Sequence, residues 1–213
     1  MLPTFKTSFW RSVCALHANW AKAQESNAEK LLAHGKSRDE VLATVVKPLV
    51  EWRRMHAESI LSASPDHLRT LAKTFVSNLQ FLLTQDDQAC YGYISEGELS
   101  PTVLPLFGKQ AYVGKLGSQT EATIAAAQNG TTAKKIYREP TSEDFSDLAN
   151  LLLKRGWTDI DLEVFSDPKQ LSNAPASKVC TLVTQWFETQ LQMPPSDKQM
   201  RLLATSLQPV VGG

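Results

Sequence analysis

The chain has 213 residues, 42% of them hydrophobic and 21% charged, and its 22 Lys and Arg equal its 22 Asp and Glu. Such a length admits one well-buried core, or two small ones sharing an interface, and the composition excludes a disordered or fibrous chain. Charge that balances in each half argues against a nucleic-acid module, which needs clustered Lys and Arg to displace phosphate counterions.

No run approaches the ~18 apolar residues of a membrane span. Trp10, Arg11, Ser12 and His17 interrupt the N-terminus where a signal peptide has its apolar core. The expectation is a soluble, cytoplasmic protein. Cys14, Cys90 and Cys180 are too few and too widely spaced for a zinc framework or a dense disulfide scaffold. Buried free thiols are expected, since Cys behaves as a small core hydrophobe. The alternative, a Cys90–Cys180 bridge, would close a loop of about ninety residues and stabilise the fold by roughly 4 kcal/mol. It would also place the protein outside the cytoplasm, as would the chain's being a fragment of a longer one.

In chain order, Phe5, Phe9, Val13, Leu16, Trp20 and Leu31 recur at helical spacing from Thr4 to His34, with Gly35 placed to close that helix. Ser37 and Glu40 form a capping box for a second helix. It carries Val41, Leu42, Val45, Val46, Leu49, Trp52 and Ile60, and Pro48 predicts a kink or break between Val46 and Leu49. The clearest stretch follows. Ser64 stands at a cap position and Pro65 at the first helical position, before a stripe at Leu68, Leu71, Ala72, Phe75, Leu79, Leu82 and Leu83.

Asp86 or Asp87 caps a short helix ending at Gly97. Ser100-Pro101 repeats the start signal, but Pro105, Gly108, Gly114 and Gly117 predict the most broken segment of the chain, up to Ser118. A small helix from Gln119 to Gln128 then ends at Asn129-Gly130, and Thr131 to Pro140 reads equally as a short helix or an extended connector. Further helices open at Thr141 or Ser142, at Thr158, at Pro175 and at the Ser196–Gln199 capping box; Gly156 closes the first of these. No period-two strand pattern appears. The fold is read as all-α: an irregular bundle of about eight helices without substantial sheet, forming one domain over 1–213. Residues 98–118 are the divide if the helices form two groups.

The chemistry-bearing motifs are sparse. Glycine-rich phosphate loops, Gly-x-Ser-x-Gly and His-Glu-x-x-His are missing. Asp86-Asp87 lacks the third acid of an aspartate-rich metal motif, and Cys14 with His17 lacks two further zinc ligands. No metal site and no cofactor are therefore expected. The best candidate binding residues are Trp52, Arg53 and His56. A proline-bent helix would expose them to a partner, and Trp and Arg are the commonest interface anchors. In the competing reading Trp52 is core and Arg54 is neutralised by Glu51 and Glu58 on a solvated face.

Lys109, Lys115, Lys134, Lys135 and Arg138 form a locally basic stretch, and 143–167 is acidic; the two suit a charged partner or each other. Helix-forming signals without catalytic ones point to a non-catalytic protein-interaction module: an adaptor, an assembly subunit or an inhibitor of a partner protein. Nothing in the sequence fixes its oligomeric state. The runner-up is a helical enzyme or small-ligand binder with its site between helices. Its contributors would come from Trp52–Glu58 and Asp86–Tyr91, with His56, Arg53, Glu58, Asp86 and Tyr91 foremost.

Overall fold

The computed structural model describes Cys14 and residues 18–212. The stripe from Phe5 to Val13, Leu16, Trp10, His17 and Gly213 lie outside the described residues. Among those described there are eleven α-helices and no strand. They are α1 (Ala18–Ala33), α2 (Arg38–Met55), α3 (Ala57–Leu61), α4 (Pro65–Leu83), α5 (Asp87–Ser95) and α6 (Gln110–Thr132). After these come α7 (Ser142–Lys154), α8 (Asp159–Ser166), α9 (Pro168–Asn173), α10 (Ala176–Gln192) and α11 (Asp197–Gly212). Two 3-10 turns, Gly97–Leu99 and Leu104–Gly108, join α5 to α6.

The all-α reading is correct, and the count exceeds the expected number of about eight, in part for local reasons. Pro48 does not break α2, which runs through it. Buried Val45, Val46 and Val50 on both sides of the proline pack α2 against α1 and the Leu104–Gly108 turn, and this packing outweighs the missing hydrogen bond. The break falls instead at His56, where the ring Nδ1 donates to the Trp52 carbonyl at 2.8 Å and α3 starts anew. The α9 helix, opened by Asp167 and Pro168, is the second addition.

The expected broken segment up to Ser118 is also corrected. Past the 3-10 turns, α6 runs unbroken through Gly114 and Gly117 and on to Thr132. Buried Val113, Leu116, Ile124, Ala126 and Ala127 supply the packing that overrides poor intrinsic propensity. Asn129-Gly130 therefore does not end a helix. Asn129 Oδ1 accepts the Ser64 N–H at 2.7 Å, and the missing side chain at Gly130 lets the backbone of α3 lie directly on α6. The segment after α6 is a non-helical connector, tied down by Lys135 N–H to the Ser62 carbonyl (2.8 Å) and by the Tyr137 hydroxyl to the Ala63 carbonyl (2.7 Å).

Caps follow the sequence closely. Ser37 with Glu40, Thr141 with Asp144 and Thr158 with Asp161 are reciprocal capping boxes, and Asp86 accepts the Gln88 N–H. Gly35, Gly97 and Gly156 take the left-handed conformation that only glycine adopts freely. Two caps differ from expectation. The Ser64 hydroxyl bonds His67 Nδ1 at 2.8 Å instead of capping α4. Gln199 receives its half of the box from Ser196, while its own amide donates to the Gln190 and Met193 carbonyls.

The α4 helix is central. Its buried Leu68, Leu71, Phe75, Leu79 and Leu82 meet α5, α6, α10 and α11. A smaller apolar cluster, Leu148, Leu152, Trp157, Leu182, Met193 and Leu202, holds α7 against α10 and α11. The free-thiol expectation fails for two of the three cysteines: Cys90 of α5 and Cys180 of α10 form a buried disulfide. Cys14 is a free, partly buried thiol. Three acids of the acidic stretch find counter-charges within the chain, outside the basic stretch. Asp144 takes a two-pronged bond from Arg201, with both contacts at 2.9 Å, Asp147 pairs with Lys198, and Asp161 pairs with Lys178.

Candidate functional site

Helix spacing places Arg53 inward. It lies three residues after Val50 and seven after Val46, on the stripe that α2 buries, and it is 7% exposed. The exposure expected of it is not observed. A guanidinium held out of water requires a counter-charge. Glu98 supplies it from the turn after α5, with Arg53 Nη1 2.5 Å from Glu98 Oε1 and Glu98 itself 4% exposed. Gly97 adopts its positive φ immediately beside the pair, and a Cβ there would stand 3.6 Å from Arg53 Nη2. Arg53 Nε and Glu98 Oε2 have no hydrogen-bond partner.

Trp52 and His56 pair with each other, and Trp52 lines a small space beside Arg53. Their rings stack 4.3 Å apart, both half-buried at the end of α2. The runner-up set is dispersed. Glu58 pairs with Lys134 at the surface, Asp86 is a helix cap, and Tyr91 is half-buried on α5. Of the residues singled out from sequence, Arg53 alone reaches the cavity described next.

A cavity of about 560 Å³ opens between the helices. Its walls are mainly apolar and aromatic, with Phe75 of α4, Ile94 of α5, Phe165 of α8, and Val183, Trp186 and Phe187 of α10 among them. Phe165 lies against Trp186 at 4.7 Å between ring centres, and Phe75 meets Phe187 edge-on at 5.1 Å. Arg53, Glu98, Tyr93 and Gln119 line it as well. The Tyr93 hydroxyl donates to Gln119 Oε1 at 2.9 Å and accepts from Asn78 Nδ2 at 3.0 Å. Burial first, and then the Glu98 carboxylate, push the Tyr93 phenol far above its ordinary value, so it stays neutral. The Trp186 indole N–H, also in the lining, donates to the Ser206 hydroxyl at 2.9 Å.

The sequence carried two signals for this cluster. Asn78 interrupts the α4 stripe between Phe75 and Leu82 at the spacing of a core position, and Arg53 does the same on α2. Glu98 and Gln119 carried none, because only the tertiary fold brings them to Arg53 and Tyr93. Among the described residues no histidine or cysteine lines the cavity, and no three His, Cys, Asp or Glu side chains converge as metal ligands would. The arrangement can enclose an apolar body and offer it a neutral but strongly polar partner. No helix among the described residues is long and apolar enough to cross a membrane. Comparison with protein-family models, with curated proteins and with solved structures finds no match to this chain.

Proposed function

We propose that the protein binds a small, mainly apolar molecule in the cavity between α4, α5, α8, α10 and α11, as a binder rather than a catalyst. One observation carries this reading: a 560 Å³ space walled by aromatic and aliphatic side chains, with a few polar groups from separate elements. That is the size and chemistry of small-ligand sites, in which apolar area supplies affinity and a few fixed polar groups supply orientation. The Cys90–Cys180 bridge joins two of the cavity-bearing helices and favours a compartment where disulfides persist.

The test is titration with the neutral, environment-sensitive dye Nile red. Saturable binding is expected for the wild-type chain. It should be weakened in Val210→Trp, which narrows the cavity from a half-buried position on α11, with the circular dichroism spectrum unchanged. Absence of saturable binding, or undiminished binding by the variant, would refute it.

The interaction-module reading rests on a different place. Met55 is 75% exposed beside the Trp52–His56 stack, and a partner docking there would be lost in Met55→Glu with dye binding intact.

A further inference from the structure

We propose that the connector 133–141 is a processing site, cut after Lys135 by a serine protease that selects Lys and Arg. The Cys90–Cys180 bridge then keeps the two products together. Between α6 and α7 the connector forms neither helix nor sheet. Lys134, Lys135 and Arg138 stand exposed on it, and Ile136 is 87% exposed. Among the described residues the other Lys and Arg outside helices are Lys36, Lys109 and Arg155, each in a short link between helical turns. Helical backbone resists proteases, which grip an extended chain, because its N–H and C=O groups are already paired with one another. Nicking therefore concentrates in exposed segments such as this one.

Of the three bonds that follow a basic residue here, the one after Lys135 is best placed. Lys134 pairs with Glu58 at 2.6 Å, whereas among the described residues no partner holds the Lys135 ammonium, which suits an acidic specificity pocket. The bond after Arg138 is followed by Glu139 and Pro140, and proline restricts the residue before it and lacks an N–H. Among the described residues no backbone bond engages the N–H of Ile136 or Arg138, so both remain for strand-like pairing with a protease. Opening the segment releases the Lys135 N–H from Ser62 and the Tyr137 hydroxyl from Ala63, and lifts out one half-buried side chain, Tyr137. In the cut the amide C–N bond breaks as water supplies a hydroxyl to the Lys135 carbonyl carbon and a proton to the Ile136 nitrogen. Residues 1–135 carry Cys90 and residues 136–213 carry Cys180, so the bridge spans the cut. Across the same divide α10 packs on α4 and α5, and α11 on α3 and α4. The product is a two-chain molecule with its core in place.

The test is brief digestion of the unreduced protein with trypsin, followed by electrophoresis with and without dithiothreitol and by N-terminal sequencing. The first cut should expose Ile136 as a new N-terminus. Without reductant the product should run as one species that keeps its helical circular dichroism, and dithiothreitol should split it into two on the gel. The triple variant Lys134→Gln/Lys135→Gln/Arg138→Gln should be cut about tenfold or more slowly, because glutamine brings no charge to the acidic pocket. Protein taken from its native source should already contain the two-chain form, read by intact mass before and after reduction. A first cut elsewhere, fragments that part without reductant, or a variant cut as fast as the wild-type chain would overturn the site. A native protein found only as one uncut chain would overturn its processing. The wild-type digest decides the position of the cut even if the triple variant does not fold.

Discussion

Two glycines of one helix should respond to the same substitution with opposite sign. At Gly130 a Cβ would collide with the carbonyl oxygen of Ser59, and backbone on both sides cannot yield cheaply. Gly130→Ala should destabilise the protein by about 1–3 kcal/mol, the usual cost of forcing extra volume into a tight contact. At Gly114 a Cβ meets nothing within 4 Å, so Gly114→Ala should stabilise the chain by about 0.5–1 kcal/mol through helix propensity alone. Denaturant unfolding of the pair checks both signs. At the Arg53–Glu98 pair, Glu98→Ala should cost about 3–5 kcal/mol because it strands a buried guanidinium. The double replacement by Met and Leu should lie much closer to wild type. If the single and double variants are equally destabilised, the burial of the charges is not what makes this pair costly to break.

Elements tell a similar story about local rules and their tertiary overrides. The α2 helix keeps Pro48 in its interior because buried Val45, Val46 and Val50 pack on both sides of it, so the proline's local cost is borne in the folded state. Pro48→Ala should therefore raise stability by about 1–3 kcal/mol, read from the same unfolding curves. A fall would mean that the ring's own packing matters more than the hydrogen bond it removes. The short α3 helix depends on neighbours for its polar groups. Its exit, Ser62 to Ser64, is held by Lys135, Tyr137 and Asn129 from the end of α6 and the connector beyond. Asn129→Ala leaves the Ser64 N–H without its partner and should cost on the order of 1 kcal/mol.

At the scale of the whole molecule, one covalent link and a set of ion pairs tie distant segments together. The Cys90–Cys180 bridge spans a sequence separation of 90, and loss of that loop constraint in Cys90→Ser/Cys180→Ser should lower stability by about 4–5 kcal/mol. Acid should unfold the protein along a defined route. The Arg201 hydrogen bonds, then the Thr141 backbone N–H, lower the Asp144 carboxyl to about 2; Lys178 and then Thr158 do the same for Asp161. Folded-state values below the ordinary 3.8 mean that both groups contribute stability above that pH. That contribution is lost as pH falls from about 4 toward 2. Thermal melting should be flat above about pH 5 and drop steeply below about pH 4. Asp144→Asn should flatten that drop. An unchanged profile in the variant would assign the acid sensitivity elsewhere.

The sequence by itself determined where most helices begin and end, because the Ser37, Thr141 and Thr158 caps and the left-handed glycines at 35, 97 and 156 act within a few residues of themselves. It also determined that α4 would be buried along one face, since a three-and-four spacing is a property of the segment alone. It misplaced the break at 114–130, and of the kink or break read at Pro48 the break does not occur, because packing against other helices outweighs propensity at both places. Arg53 was legible as a residue of interest but not as an interior one, because its partner stands 45 residues further on. The cavity, the disulfide and the Asn78–Tyr93–Gln119 network each join segments far apart in the chain. Only the tertiary structure decides them, since whether two distant side chains meet depends on how every helix between them packs.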